Sequence, residues 1–84
     1  MKWVTVENIG VDRMASIWLI RRWIDPKAEF IFIPAGTQPL PKGEPFDIPG
    51  TRYSHHGGHC TFHALLTGNG INDPVLDHIA TIVD

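Results

Sequence analysis

Trp3-Val4-Thr5-Val6 is a short aromatic and β-branched run. Gly10 separates it from a stretch in which Ile17, Ile20 and Ile24 recur on one face at about 100° per residue. The first pattern predicts a strand over 3–6. The second predicts a helix over 12–24, with Asp12 able to cap it and Pro26 stopping it. Glu29-Phe30-Ile31-Phe32-Ile33 is almost continuously apolar and strongly β-prone, which predicts a central strand over 29–33 paired with the first. Between Gly36 and Gly50, the prolines at 39, 41, 45 and 49 mark a loop with a short extended piece at Phe46-Asp47-Ile48. Thr51-Arg52-Tyr53-Ser54 reads as an edge strand over 51–55, and Thr61 as the cap of a short helix over 61–67 ended by Gly68 or Gly70. Asp73-Pro74 is a stronger start signal, a cap residue followed by proline in the first turn of a helix over 74–84.

These elements predict a small α+β domain, a short sheet packed with three helices. In the last helix Leu76, Ile79, Ala80 and Val83 form an apolar stripe, yet the sequence ends at Ile82-Val83-Asp84 without a glycine cap or a basic last turn. The stripe therefore calls for a partner, either the rest of a longer domain or a second copy of the chain, and a homo-oligomer is expected.

Length and composition narrow the function classes. A chain of 84 residues forms one domain with a small core, burying roughly 60–65% of the surface its unfolded form exposes. With 43% hydrophobic and 19% charged residues the chain is too apolar for a disordered tail and too interrupted for a membrane span. The formal charge of −2 argues against a general nucleic-acid surface. A single cysteine forms no internal disulfide, and Met1-Lys2-Trp3-Val4 lacks the apolar core of a signal peptide, so the cytoplasm is the expected compartment.

Chemistry concentrates in His55-His56-Gly57-Gly58-His59-Cys60-Thr61-Phe62-His63, which holds four of the five histidines and the only cysteine. In a metal reading, His56 and Cys60, joined by one or two of His55, His59 and His63, supply nitrogen and sulfur donors suited to zinc, iron or copper. The two glycines let the backbone turn tightly around the ion. The spacing matches no standard zinc finger. In a thiol reading, Cys60 stands before a helix whose dipole and neighbouring histidines favour the thiolate. In a third, Cys60 is a small core residue and the histidines cap loop groups. His78 lies apart on a helix flank and reads as structural.

Arg13 projects into the apolar face of the first helix, with Arg21 near its edge, so a counter-charge is required. Asp12, Asp25, Glu29 and Asp47 are the available carboxylates. The alternative is an anion site in which Arg13 and Arg21, with Asp12 beside them, hold a carboxylate, phosphate or other oxyanion. Arg22 lies on the opposite side, and Trp3, Trp18 and Trp23 read as core.

Val11-Asp12-Arg13, the run from Trp18 to Pro26, Ala28-Glu29-Phe30, Pro45 to Gly50, His55-His56-Gly57, Cys60-Thr61-Phe62 and Asp73-Pro74 recur in the order found in one family. On these motifs the whole chain, 1–84, resembles the C-terminal domain of ChrB-type chromate-resistance proteins. The resemblance implies a role linked to chromate resistance and metal stress. Longer members carry an N-terminal region and are described as chromate-responsive regulators, while some relatives carry a rhodanese-like domain, so a partner domain is expected. An acidic residue commonly follows the Cys-Ser/Thr-Phe step of the family, where His63 stands here. The family domain also continues past residue 84, adding helices. The resulting expectation is a domain that binds a transition metal, an oxyanion such as chromate, or both. A thiol-dependent oxidoreductase or metal-dependent hydrolase is the enzymatic alternative, and a dimerisation module the structural one.

Overall fold

A computed structural model describes residues 1–8 and 10–84 of the chain. A strand, β1 (Lys2–Val6), leads into a helix, α1 (Val11–Leu19), that loosens into one π-helical turn over Ile20–Ile24. The amide of Asp25 closes that turn on the carbonyl of Ile20 at 2.6 Å, and Pro26, which has no N–H to offer, prevents continuation. The chain then returns as β2 (Glu29–Ile33), parallel to β1, with Lys2 opposite Glu29 and Val6 opposite Ile33. A helix between paired strands imposes this parallel sense, because the chain must cross back to the starting edge before the second strand begins.

The third strand, β3 (Glu44–Pro45), lies on the other side of β1 and is also parallel, giving the order β2-β1-β3. Proline is tolerated there because β3 is an edge. This corrects the strand expected over 51–55. Tyr53 makes a single bridge to Phe46, and the surrounding residues fold as turns in which the Thr51 hydroxyl donates to the Ile48 carbonyl and the Ser54 hydroxyl to that of Thr51, each at 2.7 Å. Threonine and serine side chains thereby compete with a strand ladder for the local backbone.

Two helices complete the fold, α2 (Thr61–Gly68) and α3 (Pro74–Val83). Asp73 caps α3 as expected, its carboxylate accepting from the amides of Val75 and Leu76 at 2.9 and 3.2 Å. The apolar stripe of α3 is covered within the chain: Leu76 and Ala80 are buried, with Ile79 and Val83 packed against the same core. The stripe therefore supplies no reason for a second copy. The core is built from Trp3, Leu19, Ile20, Phe46, Tyr53, Phe62, Leu65 and Leu66, which join the sheet to all three helices. Only one of the three tryptophans belongs to it. Trp3 is buried and donates its indole N–H to Asp25, whereas Trp18 and Trp23 stand half exposed on the outer side of α1 and its π turn.

Gly68 marks the tightest point of this core. A Cβ there would lie 2.7 Å from a ring carbon of buried Tyr53, which also packs on Trp3 with ring centroids 6.1 Å apart. Gly68→Ala should therefore lower stability by about 1–3 kcal/mol despite the better helix propensity of alanine, as read by denaturant melts. A neutral or stabilising result would show that the Tyr53 ring can shift freely.

Candidate functional site

The amides that open α2 point into the protein, where water cannot serve them, and the side chain at its cap position, Cys60, offers them nothing. Carboxylates from distant elements do this instead. Asp12, in the first turn of α1, accepts from Thr61 N at 2.9 Å and Phe62 N at 3.0 Å, while Asp84 accepts from Cys60 N at 2.8 Å. Asp12 thus caps α2 rather than its own helix, whose cap position is Gly10, and Thr61 is the first residue of α2 rather than its cap. The Thr61 hydroxyl donates to Asp47 at 2.7 Å.

Asp47 is the second anchor. Its backbone is left-handed, with φ 54°, a conformation that only asparagine, aspartate and glycine adopt with ease. There its carboxylate meets Arg13, Nη2 to Oδ2 at 3.0 Å, and Arg13 also donates to the carbonyls of Asp47 and Asn8. Both side chains are nearly buried. Arg13 therefore finds its counter-charge in Asp47. Arg13 Nε is buried without a partner among the described residues, and Arg13 borders a hollow of about 400 Å³ with Asp47, Ser54 and His55.

His55 closes the group. Its Nε2 lies 3.2 Å from Asp12 Oδ2 and 3.7 Å from Asp47 Oδ1, and the side chain is otherwise exposed. Among the described residues, Asp12, Asp47 and His55 form the one set of three metal-capable side chains with donor atoms all within 4.8 Å of one another. The Nε2 position can donate an N–H to either carboxylate, and the same three side chains could instead hold a cation.

The other expected ligands lie elsewhere. His56, His59, Cys60 and His63 border one hollow of about 320 Å³, but their donor atoms do not converge as a set. His56 Nε2 sits 3.1 and 3.0 Å from the carbonyls of Thr51 and Arg52, so this nitrogen is a hydrogen-bond donor with no lone pair left to give. His59 stacks on His63, ring centroids 4.1 Å apart, and turns Nδ1 toward Asp84. Cys60 is buried and its Sγ donates to the Ala80 carbonyl at 3.8 Å. Burial, and then the neighbouring Asp84 carboxylate, push its thiol up to about 12, opposite to the activated thiolate expected from the helix dipole. The same contacts with Cys60, aided by His59, hold Asp84 down at about 2. Arg21 is also remote from Arg13, donating to the Ala28 carbonyl at 2.7 Å and lying over the Phe30 ring.

Sequence reasoning treated Asp47 only as an ion-pair partner and passed over Asp84. A signal for Asp47 existed: a carboxylate between two apolar residues, flanked by Pro45 and Pro49, is an unusual place for a charge. Asp84 joins the site through tertiary packing of α3 on α2, which no local pattern announces.

Fold and site together define a small α+β domain with a carboxylate–imidazole–guanidinium cluster, half-buried at its carboxylates and open to solvent at His55. The profile of the family described as "ChrB, C-terminal domain" matches residues 3–84, and the chain belongs to that family. It is 36% identical over 72 residues to Protein ChrB of Cupriavidus metallidurans, a match covering 86% of this chain and 22% of that protein. The chain thus spans about a fifth of the curated relative it matches. No solved structure matches it. Among the described residues no helix is long and apolar enough to cross a membrane.

The raised thiol fixes a pH dependence. Below pH 9.0 the thiol is protonated in both folded and unfolded chains, so its contribution to stability is complete. Between 9.0 and about 12 the unfolded chain ionises and the folded one does not, so stability is lost. Cys60→Ala should flatten the alkaline arm of the stability profile over that interval. An unchanged arm would place the thiol in solvent.

Proposed function

We propose that the domain is a metal-binding module of the chromate response, with Asp12, Asp47 and His55 as the protein ligands. Membership of the ChrB family implies an association with chromate resistance. The observation that supports a metal is the convergence of two carboxylates and one imidazole on a single point. Two features suit the set to that task. The helix amides behind Asp12 and the Arg13 fork behind Asp47 orient both carboxylates, as outer partners do in metal centres. The left-handed backbone of Asp47 is a local cost of the kind that gathers at functional sites. Two oxygens and one nitrogen suit zinc or iron(II), with open positions for water or an exogenous ligand, and lack the thiolate that copper(I) prefers.

The oxyanion half of the reading has its own support in Arg13, whose Nε has no hydrogen-bond partner among the described residues and whose side chain borders a hollow together with Asp47, Ser54 and His55. Chromate has the tetrahedral shape and charge of sulfate, and the Arg13 guanidinium and the largely exposed His55 imidazole are suitable partners for it, the Ser54 hydroxyl being committed to the Thr51 carbonyl. An oxyanion there would also reach a metal held by His55.

Zinc titration followed by calorimetry tests the metal. His55→Ala should weaken zinc by roughly tenfold or more without loss of fold, since the side chain is largely exposed. Affinity should also fall on acidification, as protons compete for the imidazole lone pair. Cys60→Ala and His56→Ala should bind as the parent does. The reverse pattern, loss in those two and none in His55→Ala, would return the site to the cysteine–histidine loop. Chromate binding to zinc-free protein, displaced by sulfate, is expected from the arginine arrangement, and its absence would remove the oxyanion half.

A further inference from the structure

Of the two edges of the sheet, the longer is β2, which is open among the described residues. β2 pairs with β1 alone, and the parallel register directs the main-chain groups of Glu29, Ile31 and Ile33 toward β1, as the bonds from Glu29 N to Met1 O and from Glu7 N to Ile33 O show. Strand alternation then turns the N–H and C=O of Phe30 and Phe32 outward, and none of these four groups finds a partner among the described residues. Exposed edges are usually blunted by proline, lysine, a bulge or a covering element. Within Glu29-Phe30-Ile31-Phe32-Ile33 none of the first three is present, and Phe32 is 43% exposed.

Beside this edge lies a hollow of about 510 Å³ bordered by Ile17, Trp18, Arg21, Arg22, Pro26 and Phe30. Its floor is apolar and its rim is cationic. Arg21 is held in place by the Ala28 carbonyl and the Phe30 ring, whereas Arg22 has no carboxylate partner among the described residues. No acidic side chain borders the hollow.

We infer that the β2 edge docks an extended peptide segment of a partner protein, one that alternates acidic with apolar side chains and adds to the sheet as a further strand. Main-chain bonds to Phe30 and Phe32 supply the pairing. Side chains on the α1 side of the added strand face the hollow, where carboxylates meet Arg21 and Arg22. A second copy of this chain fits less well, because a two-fold pairing of β2 with itself brings the same arginine-rimmed hollows together, and the one carboxylate of β2, Glu29, alternates to the face opposite Phe30 and the hollow. The inference is independent of the metal centre, which lies on Asp12, Asp47 and His55 and uses none of these residues.

The test is a short synthetic peptide of alternating glutamate and valine, titrated into the intact chain, with alternating lysine and valine as control. The glutamate peptide should shift the emission of half-exposed Trp18 and slow amide exchange at Phe30 and Phe32. Phe32→Pro removes an outward N–H while leaving the β1 ladder intact, and Arg22→Glu reverses one rim charge on an exposed side chain. Each should weaken binding by roughly tenfold or more, with thermal melts confirming the fold. Equal binding of the lysine peptide, unchanged binding by both variants, protection confined to other amides, or no binding up to about 1 mM would overturn the inference. A dimer whose Phe30 and Phe32 amides are protected without peptide would overturn it too, assigning the edge to a second copy.

Discussion

The carboxylate of Asp12 lying across the first amides of α2 is the interaction on which the rest of this small structure depends. Thr61 and Phe62 are fully buried, so their N–H groups have no access to water, and each left without an acceptor would cost about 1–3 kcal/mol. Asp12 supplies both bonds from a helix that is itself fixed by the parallel strands on either side of it. The cap thus locks α2 to α1, and α1 to the sheet. Once α2 is placed, the Thr61 hydroxyl reaches Asp47, Arg13 reaches Asp47 from α1, and the long proline-rich loop is pinned between them. His55 then completes the cluster from the turn that precedes α2. A candidate binding centre arises here from the same groups that hold three elements together.

Much of the fold was legible in the chain. Both main strands, the long first helix and the Asp73-Pro74 start of α3 carry local signals strong enough to stand alone: alternating or continuous β-branched runs, a helical stripe, a cap with proline behind it. The missing strand shows where such signals fail. Thr51 to Ser54 has β propensity, but its hydroxyls find carbonyls in their own turns, while the true third strand is two residues long and contains Pro45, against every propensity. What selects it is the open side of β1, a tertiary fact.

The site was legible in its residue types more than in its grouping. The histidine-rich loop is where the chemistry collects, and Arg13 does need the counter-charge its position demanded. Neighbours in sequence nonetheless face apart. The paired glycines at 57 and 58, both left-handed at φ 55° and 81°, turn the loop so that His56 and His59 bond to each other through their backbones, while His55 faces the carboxylates and His59 faces Asp84. A tight turn that could have wrapped an ion instead divides the histidines between two sides.

Cys60 has a further consequence. Oxidation of a cysteine proceeds through its thiolate. Held in protonated form beneath α3, the only sulfhydryl of the chain is withdrawn from electron transfer to a strong oxidant arriving at the neighbouring surface. The sulfur therefore keeps its place in the core, its contact with the Ala80 carbonyl intact, under oxidising conditions that would consume an exposed thiolate.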